Sequence, residues 1–154
     1  MLYTIIDILD KIIGVEEKGR EIYLQLAEES KDNVKLASVA RILALEEQRH
    51  IEIYTNMKKK YQDAAPSIEF DVYDRVSKLI IDFFKTSYKL DSQNVNELLK
   101  AALSFENENL ALIIAIRDFV GANGINGENT VYEILSSIID EEQKHVSNLE
   151  LFVV

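Results

Sequence analysis

Glu46-Glu47-Gln48-Arg49-His50 recurs later in the chain as Glu141-Glu142-Gln143-Lys144-His145. In both stretches the second glutamate stands three residues before a histidine, and residues at this spacing share one face of an α-helix. The chain has only two histidines, and both occupy this Glu-x-x-His motif. The repeated motif predicts two equivalent helices, each of which presents a carboxylate and an imidazole to one ion.

An earlier glutamate accompanies each motif. Ile12-Ile13-Gly14-Val15-Glu16 in the first half of the chain parallels Ala102-Leu103-Ser104-Phe105-Glu106 in the second half. Each half is therefore predicted to be a helix pair with one glutamate on its first helix and Glu-x-x-His on its second. Di-iron and di-manganese carboxylate proteins place their ligands in this way inside a four-helix bundle.

Neighbouring residues predict which glutamate of each adjacent pair points into the core. Glu16, Glu47 and Glu142 share their helix faces mostly with apolar residues, whereas Glu17 and Glu141 share theirs mostly with polar residues. The third segment is apolar nearly all round, so helix periodicity alone does not decide between Glu106 and Glu108. The parallel with Glu16 favours Glu106.

Long helices are expected because a single proline and five glycines leave few interruptions. The apolar period and the helix-end signals predict four main helices, at about Thr4–Glu29, Asp32–Tyr61, Val95–Phe119 and from Thr130 nearly to the end. Residues 64–92 form a connection that contains a helix of its own and is long enough to run the length of a bundle. The chain is thus predicted to be an all-α, ferritin-like four-helix bundle with a long crossover connection between helices 2 and 3, in a single domain over residues 1–154.

Local signals refine this prediction. Asn94 with Glu97 and Thr130 with Glu133 have the spacing of a capping box, and each pair predicts the start of a helix. The glycine-rich residues 121–127 predict a loop. Gly14 and Gly19 each weaken the first helix by about 1 kcal/mol relative to alanine. A helix that keeps both glycines is expected to be closely packed at both.

Composition excludes several function classes. A formal charge of −10 at pH 7 would repel phosphate backbones, so we expect no nucleic-acid partner. No apolar run approaches the roughly 20 residues that span a bilayer, so we expect no membrane partner. The absence of cysteine excludes disulfides, iron–sulfur clusters and thiol nucleophiles. It also fits a reducing compartment, and Met1–Thr4 lacks the basic start of a signal peptide, so we expect a cytoplasmic protein.

The candidate site contains two metal ions held by four glutamates and two histidines, namely Glu16, Glu47, His50, Glu106, Glu142 and His145. Four carboxylates neutralise two divalent cations, which makes their burial tolerable, whereas four empty carboxylates would repel one another. Iron is the expected metal, and manganese or zinc remains possible with mixed oxygen and nitrogen ligands.

Four motifs resemble those of the rubrerythrin-like branch of the ferritin-like superfamily, in matching order over nearly the whole chain: Glu16-x-x-Gly19-x-x-Ile22-Tyr23, Leu43-Ala44-x-x-Glu47-x-x-His50, Ala102-Leu103-x-x-Glu106 and Glu142-x-x-His145. The resemblance implies a di-iron centre that reacts with hydrogen peroxide or oxygen, and often a homodimer. In such proteins a tyrosine seven residues after the first glutamate lies close to the irons, and Tyr23 holds that place. The resemblance therefore makes Tyr23 the candidate catalytic residue.

Two features depart from that family. Rubrerythrin itself carries a rubredoxin domain with four cysteines that passes electrons to the di-iron site. This chain has no cysteine, so an external electron-donor protein is expected. Rubrerythrin also has a second glutamate three residues after the third-helix ligand, where this chain has Asn109. A symmetric site of four glutamates and two histidines is therefore expected.

The leading functional hypothesis is an oxidoreductase in which two ferrous ions reduce peroxide or oxygen, with Glu47 and Glu142 as bridging ligands and Glu16 and Glu106 as terminal ligands. Asp140 and the glutamate before each Glu-x-x-His ligand are candidate partners that orient the histidines. Tyr23 and Tyr54 are candidate hydrogen-bond donors, although a tyrosine on an apolar face is more often plain core. The alternatives are an iron storage, sequestration or delivery protein, and a structural bundle stabilised by its metal.

Overall fold

The computed structural model describes residues 2–86, 90, 92–122 and 128–153. Over these ranges the chain forms five helices and one pair of short strands. The helices are α1 (Ile5–Glu29), α2 (Val34–Tyr61), α3 (Phe70–Thr86), α4 (Val95–Ala122) and α5 (Glu128–Glu150), and the strands are β1 (Tyr3–Thr4) and β2 (Ser67–Ile68). The prediction of an all-α bundle with a helix in its crossover is confirmed.

Side-chain caps start the helices close to the predicted positions. The Thr4 hydroxyl accepts a hydrogen bond from the backbone N–H of Ile6, and Asp7 accepts one from the backbone N–H of Thr4. At the start of α4, Asn94 accepts from the backbone N–H of Glu97 at 2.9 Å, as predicted. The return bond of that capping box is not formed as predicted, because the Glu97 carboxylate accepts from the backbone N–H of Gln93 instead.

The prediction for the start of the last helix is wrong. Thr130 lies inside α5, which already includes Glu128, so Thr130 does not cap it. Gly121 is likewise helical and belongs to the last turn of α4, while positions 123–127 of the predicted loop lie outside the described residues.

The crossover runs the length of the bundle. β1 and β2 pair antiparallel beside the start of α1, and the backbone N–H of Ile5 donates to the carbonyl of Pro66 at 3.0 Å. The segment that follows α2 therefore begins next to the first turn of α1. At the other end, Ser92 and Gln93 line a surface pocket together with Asn33 from the turn between α1 and α2. The predicted long crossover between the second and third main helices is confirmed.

The apolar core consists of two clusters. The larger cluster contains Ile8, Ile12, Tyr54, Ile116 and Ile138 among other residues, and the smaller contains Tyr23, Leu36, Leu43, Leu98 and Leu149 among others. Most of the buried polar residues of the described chain lie in a layer between these clusters, namely Glu16, Glu47, His50, Glu106, Asn109, Glu142 and His145. No helix in the described ranges is both long and apolar enough to cross a membrane.

Candidate metal centre

All six residues that the sequence predicted as metal ligands lie in the interior. The four glutamates and His50 are 0% exposed, and His145 is 3% exposed. α1 carries Glu16, α4 carries Glu106, and α2 and α5 each carry one Glu-x-x-His pair. Glu17 and Glu108, the alternatives considered on α1 and α4, are exposed.

The six side chains converge in two overlapping groups. Ligand atoms of Glu16, His50 and Glu142 lie within 4.8 Å of one another, and so do those of Glu106, His145 and Glu142. Ligand atoms of Glu47, His50 and His145 form a third group, and they also lie within 4.8 Å of one another. The Nδ1 atom of His50 is 3.6 Å from Glu16 Oε2, and the Nδ1 atom of His145 is 3.6 Å from Glu106 Oε2. The arrangement offers two cation positions that share Glu142 and Glu47.

In three of the four glutamates, one carboxylate oxygen accepts a hydrogen bond from another side chain. Tyr54 donates its hydroxyl to Glu142 Oε1 at 2.5 Å, and Tyr23 donates to Glu106 Oε1 at 3.4 Å. Asn109 donates its side-chain amide to Glu16 Oε1 at 3.2 Å. The Oε2 atom of each of these carboxylates has no hydrogen-bond partner among the described residues. Each of the three glutamates is therefore oriented by one oxygen and leaves the other available.

The residues fit a pair of divalent cations. Both oxygens of Glu47 and both ring nitrogens of His50 and His145 are also buried without a hydrogen-bond partner in the described part of the chain. Buried polar atoms in native proteins nearly always have a partner, so a group of unpartnered donor atoms at one place fits a cation site. Carboxylate and imidazole are ligands that suit divalent iron, manganese and zinc.

The acid–base properties of the metal-free site follow from burial. Burial and the charge of Glu106 raise the pKa of Glu47 well above its usual range, and burial likewise raises the pKa of Glu142. Burial raises the pKa of Glu106 to about 8. At neutral pH the metal-free site therefore holds protons on carboxylates that a cation must displace.

The pKa values of two other groups in the site, Glu16 and His145, are lowered. Burial raises the pKa of Glu16, but polar contacts with Glu47 and His50 outweigh burial and lower that pKa to about 2. Burial and the proximity of His50 lower the pKa of His145 to about 4, so His145 is neutral at pH 7. A charged carboxylate and a neutral imidazole are the forms that bind a metal.

Gly19 lets α1 approach Glu47 closely. A Cβ atom at this position would lie 3.0 Å from Glu47 Oε2 and 3.5 Å from the ring of Phe105. The predicted close packing is thus confirmed at Gly19. It is wrong at Gly14, where a Cβ atom would meet nothing within 4 Å.

The predicted partners of the histidines are wrong. Asp140 is exposed, and neither histidine has a hydrogen-bond partner among the described residues. The glutamates before the ligands point outward, where Arg49 lies 3.3 Å from Glu46 and 3.4 Å from Glu141. This arginine joins α2 to α5 beside the site. The His50 ring is positioned by ring packing instead, with centroid distances of 5.7 Å to Tyr54 and 5.0 Å to His145.

Sequence reasoning missed the role of Asn109. The residue was recognised only as the position where rubrerythrin has a glutamate, and its hydrogen bond to Glu16 across the bundle was not predicted. A signal was present, because Asn109 lies three residues after Glu106 and therefore on the same helix face. An asparagine on a face that points at carboxylates is a candidate donor.

Comparison with families of known proteins gave a match over nearly the whole chain. A sequence profile of the family described as Rubrerythrin matches residues 7–152. The matched range extends from α1 to the turn after α5 and so includes both helix pairs. Searches of the curated proteins and of the solved structures gave no significant match.

Proposed function

This chain belongs to the rubrerythrin family of di-iron carboxylate proteins, and we propose that it is an oxidoreductase that reduces hydrogen peroxide or oxygen. The observation that carries the proposal is the convergence of six buried donor residues whose inward atoms lack partners. Bound as a ferrous pair, iron would supply the two electrons that reduction of an O–O bond requires.

We assign the ligands by the atoms that remain available. Glu47 has two oxygens without partners among the described residues and lies with both histidines, and Glu142 lies in both cation groups, so these two would help to hold both ions. Glu16 and Glu106 would each hold one ion, and so would each histidine. The Glu142 oxygen that accepts from Tyr54 has a second lone pair, so the hydrogen bond does not prevent bridging.

The two tyrosines position carboxylates and hold protons at the edge of the site. Burial and the charge of Glu142 raise the pKa of Tyr54, which keeps its hydroxyl protonated and donating. Tyr23 donates over a longer distance, 3.4 Å, to Glu106. We therefore assign Tyr54 as the stronger positioning residue and retain Tyr23 as the residue close to the reacting atoms.

The electrons that restore the ferrous state come from a separate donor in this proposal. The 154 residues include no cysteine, so they hold neither a rubredoxin-type iron site nor a redox disulfide. An electron-donor protein that docks on the bundle is the expected partner.

The test is metal content followed by rapid mixing. The chain is loaded with ferrous iron under anaerobic conditions, and bound iron per chain is measured. The ferrous protein is then mixed with hydrogen peroxide, and in a parallel experiment with oxygen, while the ferric absorbance is recorded. Two irons per chain that are oxidised within seconds are expected.

Matched variants show whether the reaction belongs to this site. Glu47→Ala removes a buried carboxylate and is expected to abolish binding of the second iron and fast oxidation. Glu17→Ala removes an exposed carboxylate from α1 and should leave both unchanged. Accumulation of many irons per chain would favour iron storage instead. Two bound metals that react with neither oxidant would favour a structural role.

A further inference from the structure

A cleft opens on the molecular surface between α2 and α5, with the start of α4 behind it. Its volume is about 420 Å³, within the size range of small-molecule sites. The described residues that line it are mostly apolar: Val39, Ile42, Leu43, Glu46, Val95, Leu99, His145, Asn148, Leu149 and Phe152. We call it the α2–α5 cleft.

The α2–α5 cleft borders the candidate metal centre at His145. Leu43, His145 and Leu149 are buried and form its floor, while Ile42 and Phe152 are 58% and 67% exposed and lie at its mouth. His145 lies between the site and the cleft, because its Nδ1 atom is 3.6 Å from Glu106 Oε2 and the residue is also part of the cleft lining. Its Nε2 atom has no hydrogen-bond partner in the described ranges. A molecule in the cleft would therefore contact a ligand of the metal site.

The lining selects an uncharged occupant. Glu46 is the one lining residue among those described that carries a charge at neutral pH, and Arg49 already pairs with it at 3.3 Å. The cleft thus offers no free cation to an anionic head group, and burying an unpaired charge there would be costly. Its apolar walls favour a hydrocarbon chain, since each buried methylene contributes to binding.

We propose that the α2–α5 cleft binds the alkyl chain of an uncharged organic hydroperoxide and directs its O–O group past His145 toward the metal centre. This assignment of a substrate class rests on the peroxide-reducing function proposed above. Reduction breaks the O–O bond and consumes two electrons, which a bound ferrous pair would supply, and two protons, which would come from solvent. The products are the corresponding alcohol and water.

Binding is tested separately from turnover with tryptophan reporters. The chain contains no tryptophan, so Ile42→Trp places a single reporter at the mouth of the cleft. Ile81→Trp is the matched control, because Ile81 is also an exposed isoleucine on a helix, at 51% exposure against 58% for Ile42. Both full-length variants are loaded with redox-inactive Zn²⁺ and titrated with 1-decanol, the alcohol that corresponds to decyl hydroperoxide.

The expected result is a saturable shift of tryptophan emission in the Ile42→Trp protein and none in the Ile81→Trp protein. Adding Val39→Phe to the Ile42→Trp protein fills part of the cleft. If the phenylalanine ring excludes about two methylenes of the decanol chain, the decanol concentration at half-saturation should rise about tenfold. Leu99→Phe is a second filling variant, in case Val39→Phe disturbs the fold. The absence of a saturable shift, or equal shifts in both reporter proteins, overturns the proposal. An emission change on dilution without decanol also overturns it, because a second copy would then cover the cleft.

Turnover separates this inference from the proposed function. The ferrous protein is mixed with hydrogen peroxide and with decyl hydroperoxide, and Val39→Phe is expected to lower the ratio of the decyl rate to the hydrogen peroxide rate about tenfold. Fast oxidation by hydrogen peroxide without decanol binding overturns the substrate class alone. Decanol binding to a protein whose irons react with no peroxide overturns the proposed function, and the substrate class with it.

Discussion

At the scale of single residues, the site is organised by the separate roles of the two oxygens of a carboxylate. Glu16, Glu106 and Glu142 each have one oxygen held by a donor from another helix and one oxygen without a partner. Such a bond limits rotation of the carboxylate in the metal-free protein, so part of the entropy of ordering it is lost before a cation binds. Residues that donate to metal ligands affect metal affinity in this way without touching the metal.

This role predicts a ranking of two tyrosine variants. Tyr54→Phe removes the shorter bond, 2.5 Å to Glu142, and is expected to weaken metal binding about 10-fold to 100-fold. Tyr23→Phe removes a bond of 3.4 Å, at the weak end of hydrogen-bond geometry, and should weaken binding less. Competition with a chelator for bound Zn²⁺ or Mn²⁺ measures both. A larger loss in Tyr23→Phe would contradict the ranking.

The two glycines of α1 predict opposite outcomes for the same substitution. Gly19→Ala brings a Cβ atom to 3.0 Å from Glu47 Oε2, so Glu47 must move and the metal affinity should fall. Gly14→Ala meets nothing within 4 Å, so it should raise the free energy of unfolding by about 0.5–1 kcal/mol through helix propensity. Thermal unfolding and chelator competition on both variants check the pair. Equal effects on metal affinity would contradict the close approach at Gly19.

The sequence was sufficient to predict which glutamates and histidines are buried together, because helix periodicity determines which neighbours share a face. Glu16 and Glu142 were distinguished from their exposed or partly exposed neighbours by this rule alone. Contacts between helices could not be read in the same way. The bond from Asn109 to Glu16 joins residues 93 positions apart, and helix periodicity contains no information about which residue of another helix lies opposite.

At the scale of secondary structure elements, α3 packs on α4 next to the candidate metal centre. Phe83 on α3 is buried, and its ring centroid is 5.7 Å from that of Phe105, the residue before the ligand Glu106. The Phe105 ring in turn meets Tyr23 edge to face at 6.5 Å. The crossover helix therefore packs behind the α4 ligand and its hydrogen-bond donor.

Truncation of Phe83 tests this packing. Phe83→Ala is expected to lower the free energy of unfolding by about 3 kcal/mol, the usual cost of removing a buried aromatic ring. Ile81→Ala is the control on the same helix, because Ile81 is 51% exposed and the change should cost less than about 0.5 kcal/mol. Urea unfolding of the metal-free proteins measures both. Similar values for the two variants would mean that α3 is not packed on α4 as described.

Helix ends were predicted less well than helix faces. Asn33 and Asn94 each cap a helix through a local side-chain bond, and such bonds can be recognised from residues three apart. Thr130 with Glu133 has the same spacing, yet α5 continues past Thr130 toward its N-terminus. The pattern permits a cap and does not require one, since threonine is also tolerated inside a helix.

At the scale of the whole molecule, a polar layer divides the apolar core into two clusters. The repeat in the sequence predicted two equivalent helix pairs that carry these glutamates and histidines, but the division of the apolar core into two clusters was not predicted. The β1–β2 pair that joins the N-terminus to the crossover was not predicted. Each strand has only two residues, which is too short for a period-two pattern to be recognised.

The polar layer makes the stability of the metal-free protein depend on pH. Glu106 has a pKa raised from 4.5 to about 8, so its contribution to stability is complete below pH 4.5 and is lost as the pH rises through 8. Glu47 and Glu142, whose pKa values are also raised, act in the same direction. His145 has a pKa lowered from 6.5 to about 4, so its contribution is complete above pH 6.5 and is lost below it. Above pH 6.5 the pH dependence of stability is therefore set by the raised pKa values of the carboxylates.

The metal-free protein should accordingly lose stability between pH 6.5 and 8, by about 2 kcal/mol from Glu106 alone. Cations displace these protons, so metal binding should strengthen over the same range, and the increase in melting temperature on adding Zn²⁺ should grow with pH. Thermal unfolding at pH 6.5, 7.2 and 8, with chelator and with excess Zn²⁺, measures both trends. Glu106→Gln is the matched variant, because it removes the titrating group and should flatten the metal-free trend. A metal-free protein that becomes more stable toward pH 8 would mean that the buried carboxylates are already ionised without a metal.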